Sequence, residues 1–249
     1  MKSINLSRIA FGAFKIGRNQ NIKYASKYEL PTEEETATLL NGVLDLGITL
    51  LDTAPAYGLS EERIGRHLSH RNNEFLISTK VGEAFHRGNS TYAFDHKAIN
   101  ASIDQSLSLL KRSLLDVVLV HSDGRDHDII TESDALETLS QRRDQGDIAR
   151  VGFSPKSAAG AIAAIETGTI EVLMLEFNPE EQSGQAALHL AAERNIDVFI
   201  KKGLGSGSVP AEEAIPFCLE QPAVKTIVIG SLSLEHMAEN ITTAASCSR

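Results

Sequence analysis

The feature that most constrains this chain is a regular alternation along its 249 residues. Short runs rich in β-branched and aliphatic residues are separated by longer segments of helical period, the pattern of repeated βα units around a parallel sheet. Strands are expected near Ile9–Ala13, Leu50–Ala54, Phe75–Val81, Asp116–Ser122, Ile148–Ser154, Val172–Asn178, Asp197–Lys202 and Thr226–Ser231. Helices are expected near Glu33–Leu46, Ser60–Leu68, Lys97–Arg112, Ser133–Gln145, Ser157–Gly168, Glu181–Arg194, Ala211–Glu220 and Leu234–Ala244. Eight strands and eight helices in a chain of this length predict a single-domain (β/α)8 TIM barrel spanning residues 1–249. An open doubly wound sheet shares the alternation and stays an alternative. The absence of a Gly-x-Gly-x-x-Gly turn after the first strand weighs against it.

Local signals agree with these elements. Ile99, Ile103, Leu107 and Leu110 form one apolar stripe. Thr32 before Glu33, Glu34 and Glu35 reads as an N-cap with acidic residues in the first turn. Gly47, Gly146 and Gly168 stand where left-handed helix stops are needed. The irregular stretch Lys15–Pro31 reads as a loop over the barrel mouth.

Bulk properties narrow the function classes. A net charge of −9 argues against a nucleic-acid partner. No apolar run approaches the roughly 18 residues of a membrane span, and Met1–Arg8 lacks a secretory signal, so no membrane partner and a cytoplasmic location are expected. Cys218 and Cys247 are too few for a disulfide framework and read as free thiols. A monomer is the default.

In a (β/α) barrel the chemistry sits at the carboxyl ends of the strands. Asp52 ends the second strand and Tyr57 follows it; Lys80 and His121 close the third and fourth. A carboxylate, a phenol, an ammonium and an imidazole meeting there suit hydride transfer to a carbonyl, whose developing alkoxide must gain a proton. Tyrosine ionises near 10, too high for efficient proton transfer at neutrality unless its phenolate is stabilised, and Lys80 beside it is expected to do so. Asp52 would keep that ammonium charged. A neutral, donating His121 would orient and polarise the substrate oxygen. Each residue alone also has a structural reading, as an ion pair, a packed aromatic or a core histidine; their joint placement favours the functional one. The hydride itself requires a cofactor.

Asp52-Thr53-Ala54-Pro55-Ala56-Tyr57-Gly58 with Ser60-Glu61-Glu62 and Ile64-Gly65 resembles the aldo-keto reductase motif around its catalytic Asp and Tyr. Ser78–Gly82 resembles the family's lysine segment, Asp116–His121 its histidine segment, and Gly146–Ser154 its fifth strand. Ile229-Gly230-Ser231 through Glu239-Asn240 resembles its C-terminal cofactor segment. The resemblance implies a reductase of small aldehydes or ketones using NADP(H), less often NAD(H), with Asp52, Tyr57, Lys80 and His121 as catalytic residues. It further implies that Gly12, Ala13 and Phe14 approach the nicotinamide end, with Asp52 and Ser154 beside it, and that Leu204, Ser206 and Gly207 line the pyrophosphate. Glu239 and Asn240 would meet the adenine; Ser231 and Ser233 belong to the same cofactor segment.

Several positions depart from the family pattern. Pro155 replaces an asparagine, Met174 a glutamine that contacts the nicotinamide amide, and Lys201 an aromatic that stacks on its ring. Gly230 and His236 fall at or near positions often held by the lysine and arginine that bind the adenosine 2′-phosphate, which leaves NADP against NAD undecided. Lys201 and Lys202 cannot both face the barrel interior. Two readings are open for them: a cation for the pyrophosphate or an anionic substrate, or a lysine paired with Glu176. Two alternative functions also stay open, a nicotinamide-cofactor-binding sensor with little turnover and a non-redox lyase using the same Tyr/Lys pair.

Overall fold

In a computed structural model, which describes residues 4–22 and 28–247, eight parallel strands close into a barrel. They are β1 (Ile9–Gly12), β2 (Leu50–Asp52), β3 (Leu76–Val81), β6 (Leu115–His121), β7 (Ile148–Ser154), β8 (Val172–Glu176), β9 (Asp197–Lys201) and β10 (Val224–Ile229). Closure is made by β1, which pairs with β2 on one side and β10 on the other, through Gly12↔Asp52 and Ile9↔Ile227 among others. The open-sheet alternative is thereby eliminated.

Alternation along each strand divides the core. Ala10, Leu50, Val117, Leu119, Val172, Met174 and Phe199 fill the barrel interior. Their neighbours Phe11, Leu51, Ile77, Val118, Val120, Leu173, Val198 and Ile227 point outward into the layer under the helices.

The outer helices are α1 (Glu33–Asp45), α2 (Ser60–Leu68), α3 (His96–Leu110), α5 (Ala135–Gln145), α6 (Ala158–Glu166), α7 (Gln185–Glu193), α8 (Ala211–Leu219) and α9 (Leu234–Ser246). The expected cap of α1 is a full capping box: Thr32 Oγ1 accepts from the Glu35 amide at 3.2 Å, and Glu35 Oε2 accepts from the Thr32 amide at 2.8 Å. Gly47, Gly146 and Gly168 adopt φ of 87°, 89° and 68°, the left-handed stops expected of them.

Two elements differ from the sequence-based expectation. A short helix, α4 (Asp126–Glu132), precedes α5, and an antiparallel hairpin, β4 (Glu83–His86) with β5 (Asn89–Tyr92), leaves the end of β3 and stands outside the barrel pairing. Of the loop Lys15–Pro31 expected over the mouth, Lys15 and Ile16 end a 3-10 turn that begins at Ala13, Arg18 and Asn21 reach the cavity, and residues 23–27 lie outside the described residues.

Candidate active site

The carboxyl ends of the strands surround a cavity of about 700 Å³. Gly12, Asp52, Lys80, His121, Ser154, Met174 and Lys201, each on the inward phase of its strand, contribute to its floor. Register brings them side by side, with Gly12 opposite Asp52, His121 opposite Ser154, and Glu176 opposite Lys201.

Lys80 and Asp52 form a buried contact, at 1% and 3% exposure. Lys80 Nζ donates to Asp52 Oδ1 at 2.9 Å, to Asp52 Oδ2 at 2.8 Å and to the Thr53 carbonyl at 2.8 Å, while Ser78 Oγ donates to Asp52 Oδ1 at 2.9 Å. Burial disfavours the ammonium, but the charges and hydrogen bonds of Asp52 and Tyr57 together outweigh it, and the Lys80 pKa lies above the ordinary lysine value.

Tyr57 ends the 3-10 turn Pro55–Tyr57, and its ring centre lies 4.7 Å from Lys80 Nζ. Phe14 packs edge-on against it at 5.0 Å between centroids, and His121 edge-on at 6.4 Å. Burial, with the charges of Asp52 and Glu83, raises the phenol's pKa above the ordinary tyrosine value against the opposing pull of Lys80. Lys80 favours the phenolate, as expected of it, but desolvation of the ring pocket is the largest influence, and Tyr57 holds its proton at neutrality.

His121 meets a residue that sequence reasoning missed. Its Nδ1 lies 2.9 Å from Glu83 Oε2 of the hairpin, off the axis of a well-aligned hydrogen bond, with the two side chains only 12% and 8% exposed. Burial, aided by Lys80 and Lys156, lowers the His121 pKa to about 4 against the pull of Glu83. Burial pushes Glu83 upward, but His121 and the Ser90 hydroxyl, which donates to its Oε1 at 2.6 Å, bring it to about 2. Arg18 closes this side: its guanidinium stacks 3.5 Å above the Phe85 ring, donates to the Ala56 carbonyl at 3.0 Å and stands 3.9 Å from Glu83.

The two adjacent lysines divide. Lys201 turns inward and donates to Ser154 Oγ at 3.0 Å and to the Pro155 carbonyl at 2.9 Å; burial and the nearby Lys156 and Lys80 lower its pKa to about 7. Lys202 pairs with Glu176.

The remaining expected cofactor residues fall into two groups. Phe14, Lys202, Ser206 and Gly230 line the cavity. Ala13 does not: it is fully buried in the core, and its carbonyl accepts from Ser60 Oγ at 2.9 Å. Leu204 packs partly against the core, and Gly207 follows Ser206 in a 3-10 turn with φ of 104°. Ser231 and Ser233 belong to the start of α9, where Ser233 Oγ accepts from the His236 amide at 3.2 Å. His236 and Glu239 are exposed on that helix, and Asn240 is buried. None of these last residues lines the cavity.

The sequence model of the Aldo/keto reductase family matches residues 8–211. The chain belongs to the aldo/keto reductase family. The crystal structure of PA4992 from Pseudomonas aeruginosa, assigned to the same family, superposes with a TM-score of 0.88 at 35% identity, covering 96% of this chain and 90% of that one. An aldo-keto reductase from Bacillus halodurans in its holo form shares the fold, with a TM-score of 0.83 at 21% identity over 98% of this chain and 88% of its own. Among curated relatives, the oxidoreductase YqkF of Bacillus subtilis is 22% identical over 97% of this chain and 88% of its own length. The D-threo-aldose 1-dehydrogenase of a Pseudomonas species is 25% identical over 82% of this chain and 68% of its own length. As a member of this family the chain is a carbonyl-reducing oxidoreductase acting on small molecules. Among the described residues no helix is long and apolar enough to cross a membrane.

Proposed function

We propose that this aldo/keto reductase reduces an aldehyde or ketone to an alcohol with NADP(H), Tyr57 supplying the proton. The observation that carries the reading is the Tyr57–Lys80–Asp52 contact: a phenol that keeps its proton at neutrality, beside an ammonium that Asp52 holds charged. Tyr57 gives its proton to the carbonyl oxygen as charge develops there, and Lys80 stabilises the phenolate left behind. Asp52 fixes the ammonium under the ring. The nicotinamide cofactor supplies the hydride when bound.

The residues present support such a cofactor. The cavity runs without interruption from the Tyr57 side, past Gly12 and Ser154, to Lys201, Lys202, Ser206 and Gly230, and it carries cations suited to phosphate oxygens. A methyl group added at Gly12 would stand 3.1 Å from Val228 Cγ1 and 3.4 Å from the Gly230 amide, so the bare backbone keeps this edge of the cavity open. Two contacts differ in kind from the family pattern: Met174 offers a thioether and no amide, and Lys201 offers an ammonium and no ring. The wider assignment is a monomeric cytoplasmic enzyme in which residues 1–249 form one domain and Ser231, Ser233, His236, Glu239 and Asn240 reach the distal end of the cofactor.

Fluorescence titration with NADPH and NADH, followed by absorbance assays on a panel of aldehydes and ketones, tests the proposal. Binding of either cofactor with turnover of a carbonyl supports reduction, and tighter binding of NADPH supports the NADP(H) assignment. Binding without turnover would transfer the chain to the sensor alternative, and turnover without change in the nicotinamide absorbance to the lyase.

A further inference from the structure

We propose that Lys201 is a nucleophilic amine that condenses with small aldehydes in the cavity to form an imine, a covalent activity that needs no nicotinamide cofactor and goes beyond the reduction proposed above.

The hydrogen bonds of Lys201 suit an amine. Its Nζ donates to Ser154 Oγ at 3.0 Å and to the Pro155 carbonyl at 2.9 Å, and both acceptors are uncharged. An ammonium carries three N–H donors and no lone pair, whereas a neutral amine carries two donors and one lone pair. With two acceptors in place, the third position on Nζ has no hydrogen-bond partner among the described residues, and the side chain lines the cavity. An amine fills that arrangement with no donor left over.

The charges around Nζ favour the same form. Register sets Lys201 between Glu176 of β8 and Val228 of β10, and Glu176 is taken by Lys202. Lys156 after β7, Lys80 on β3 and Lys202 all bear on Lys201 with like charge. Burial first, and then these cations, bring its pKa to about 7 against the pull of Glu176. Roughly half of the molecules therefore hold a free amine at pH 7, against fewer than about one in a thousand for a lysine ionising at about 10.4. Lys80, beside Asp52, stays charged. The same cavity thus keeps one lysine as a cation and activates another by desolvation and neighbouring cations.

The electrophile belongs to the class of compound the family handles. The Lys201 lone pair attacks the aldehyde carbon, and the C–N bond forms as the carbonyl π electrons move to oxygen, which takes one amine proton. Loss of that hydroxyl with the second amine proton releases water and leaves C=N. Nothing is oxidised or reduced.

Trapping with propanal and sodium cyanoborohydride, with no nicotinamide cofactor present, tests the proposal independently of the reductase reading. Cyanoborohydride reduces an imine to a stable secondary amine, and fragment-ion mass spectrometry assigns each propyl group to its residue. At pH 7 the initial rate at Lys201 is expected to exceed that at Lys202, its exposed neighbour paired with Glu176, by at least about tenfold. The ratio is expected to fall at least about tenfold from pH 7 to pH 9, because an amine ionising near 7 has little free base left to gain. In denaturing urea the two lysines should label alike. Labelling at Lys201 no faster than at Lys202, a ratio indifferent to pH, or a preference that survives unfolding would overturn the inference.

Discussion

Gly17 packs so closely against Tyr57 that a Cβ on the glycine would stand 2.0 Å from the Tyr57 carbonyl oxygen. The same atom would meet the Ser60 amide at 2.4 Å, and the Gly17 carbonyl accepts from the Leu59 amide at 3.1 Å. The loop that carries the phenol is therefore set against the first loop backbone to backbone, with no flexible side chain to absorb an insertion.

Gly17→Ala is accordingly expected to displace Tyr57. Overpacking of this kind costs about 1–3 kcal/mol of stability, whereas misplacing a reacting group by about an ångström costs about 100-fold in rate. Thermal melts and kcat measured on the same preparation should show a small fall in midpoint beside a large fall in turnover.

Tyr57→Phe removes the proposed proton donor and leaves the ring against Phe14. Carbonyl reduction is expected to drop by several orders of magnitude with cofactor affinity nearly unchanged, since the phenol acts mainly in the transition state. Full activity in this variant, measured by nicotinamide absorbance, would remove Tyr57 from its role.

The Asp52–Lys80 pair predicts a strong non-additivity. Asp52→Leu alone leaves a buried, unpaired ammonium and is expected to cost about 3–5 kcal/mol. The double variant Asp52→Leu/Lys80→Met removes both charges and should recover much of that loss, which urea unfolding of the two single variants and the double variant will resolve.

Acid should weaken the fold through His121. Its pKa in the folded protein, about 4, lies below its ordinary value of 6.5, so the unfolded chain binds the proton first. The stability linked to the neutral ring is complete above pH 6.5 and is lost as pH falls toward 4, by at most about 3 kcal/mol. Glu83, lowered from 4.5 to about 2, adds a loss of the same sign that begins near pH 4.5. Urea midpoints from pH 7 to 4.5 should therefore fall more steeply for the wild type than for His121→Asn.

Lys201 titrates near 7, charged below and neutral above. If it meets a cofactor phosphate, NADPH affinity should decline several-fold from pH 6 to pH 8 and lose that dependence in Lys201→Met, as read by fluorescence titration.

The residues legible in the sequence are those that strand periodicity places. Asp52, Lys80, His121, Ser154 and Lys201 each sit on the inward phase at a strand end, so two-residue alternation and the barrel's polarity locate them together. The same rule separates Lys201 from Lys202. Glu83 and Arg18 escaped because nothing periodic surrounds them: β5 is exposed throughout, both hairpin strands are four residues long, and Arg18 lies in an irregular loop. α4, only seven residues long, gives too short a window for a helical pattern. The direction of the Tyr57 shift was equally hidden, since a motif supplies the neighbouring lysine but not the depth of the pocket.

The hairpin from Glu83 to Tyr92 hangs from β3 without sharing any ladder with the cylinder beneath it. Replacing the hairpin from its base would leave Asp52, Tyr57 and Lys80 in place while changing the carboxylate beside the imidazole on β6. The surroundings of His121 and the Asp52–Tyr57–Lys80 contact thus lie on separate pieces of chain, open to independent revision by evolution or by an engineer.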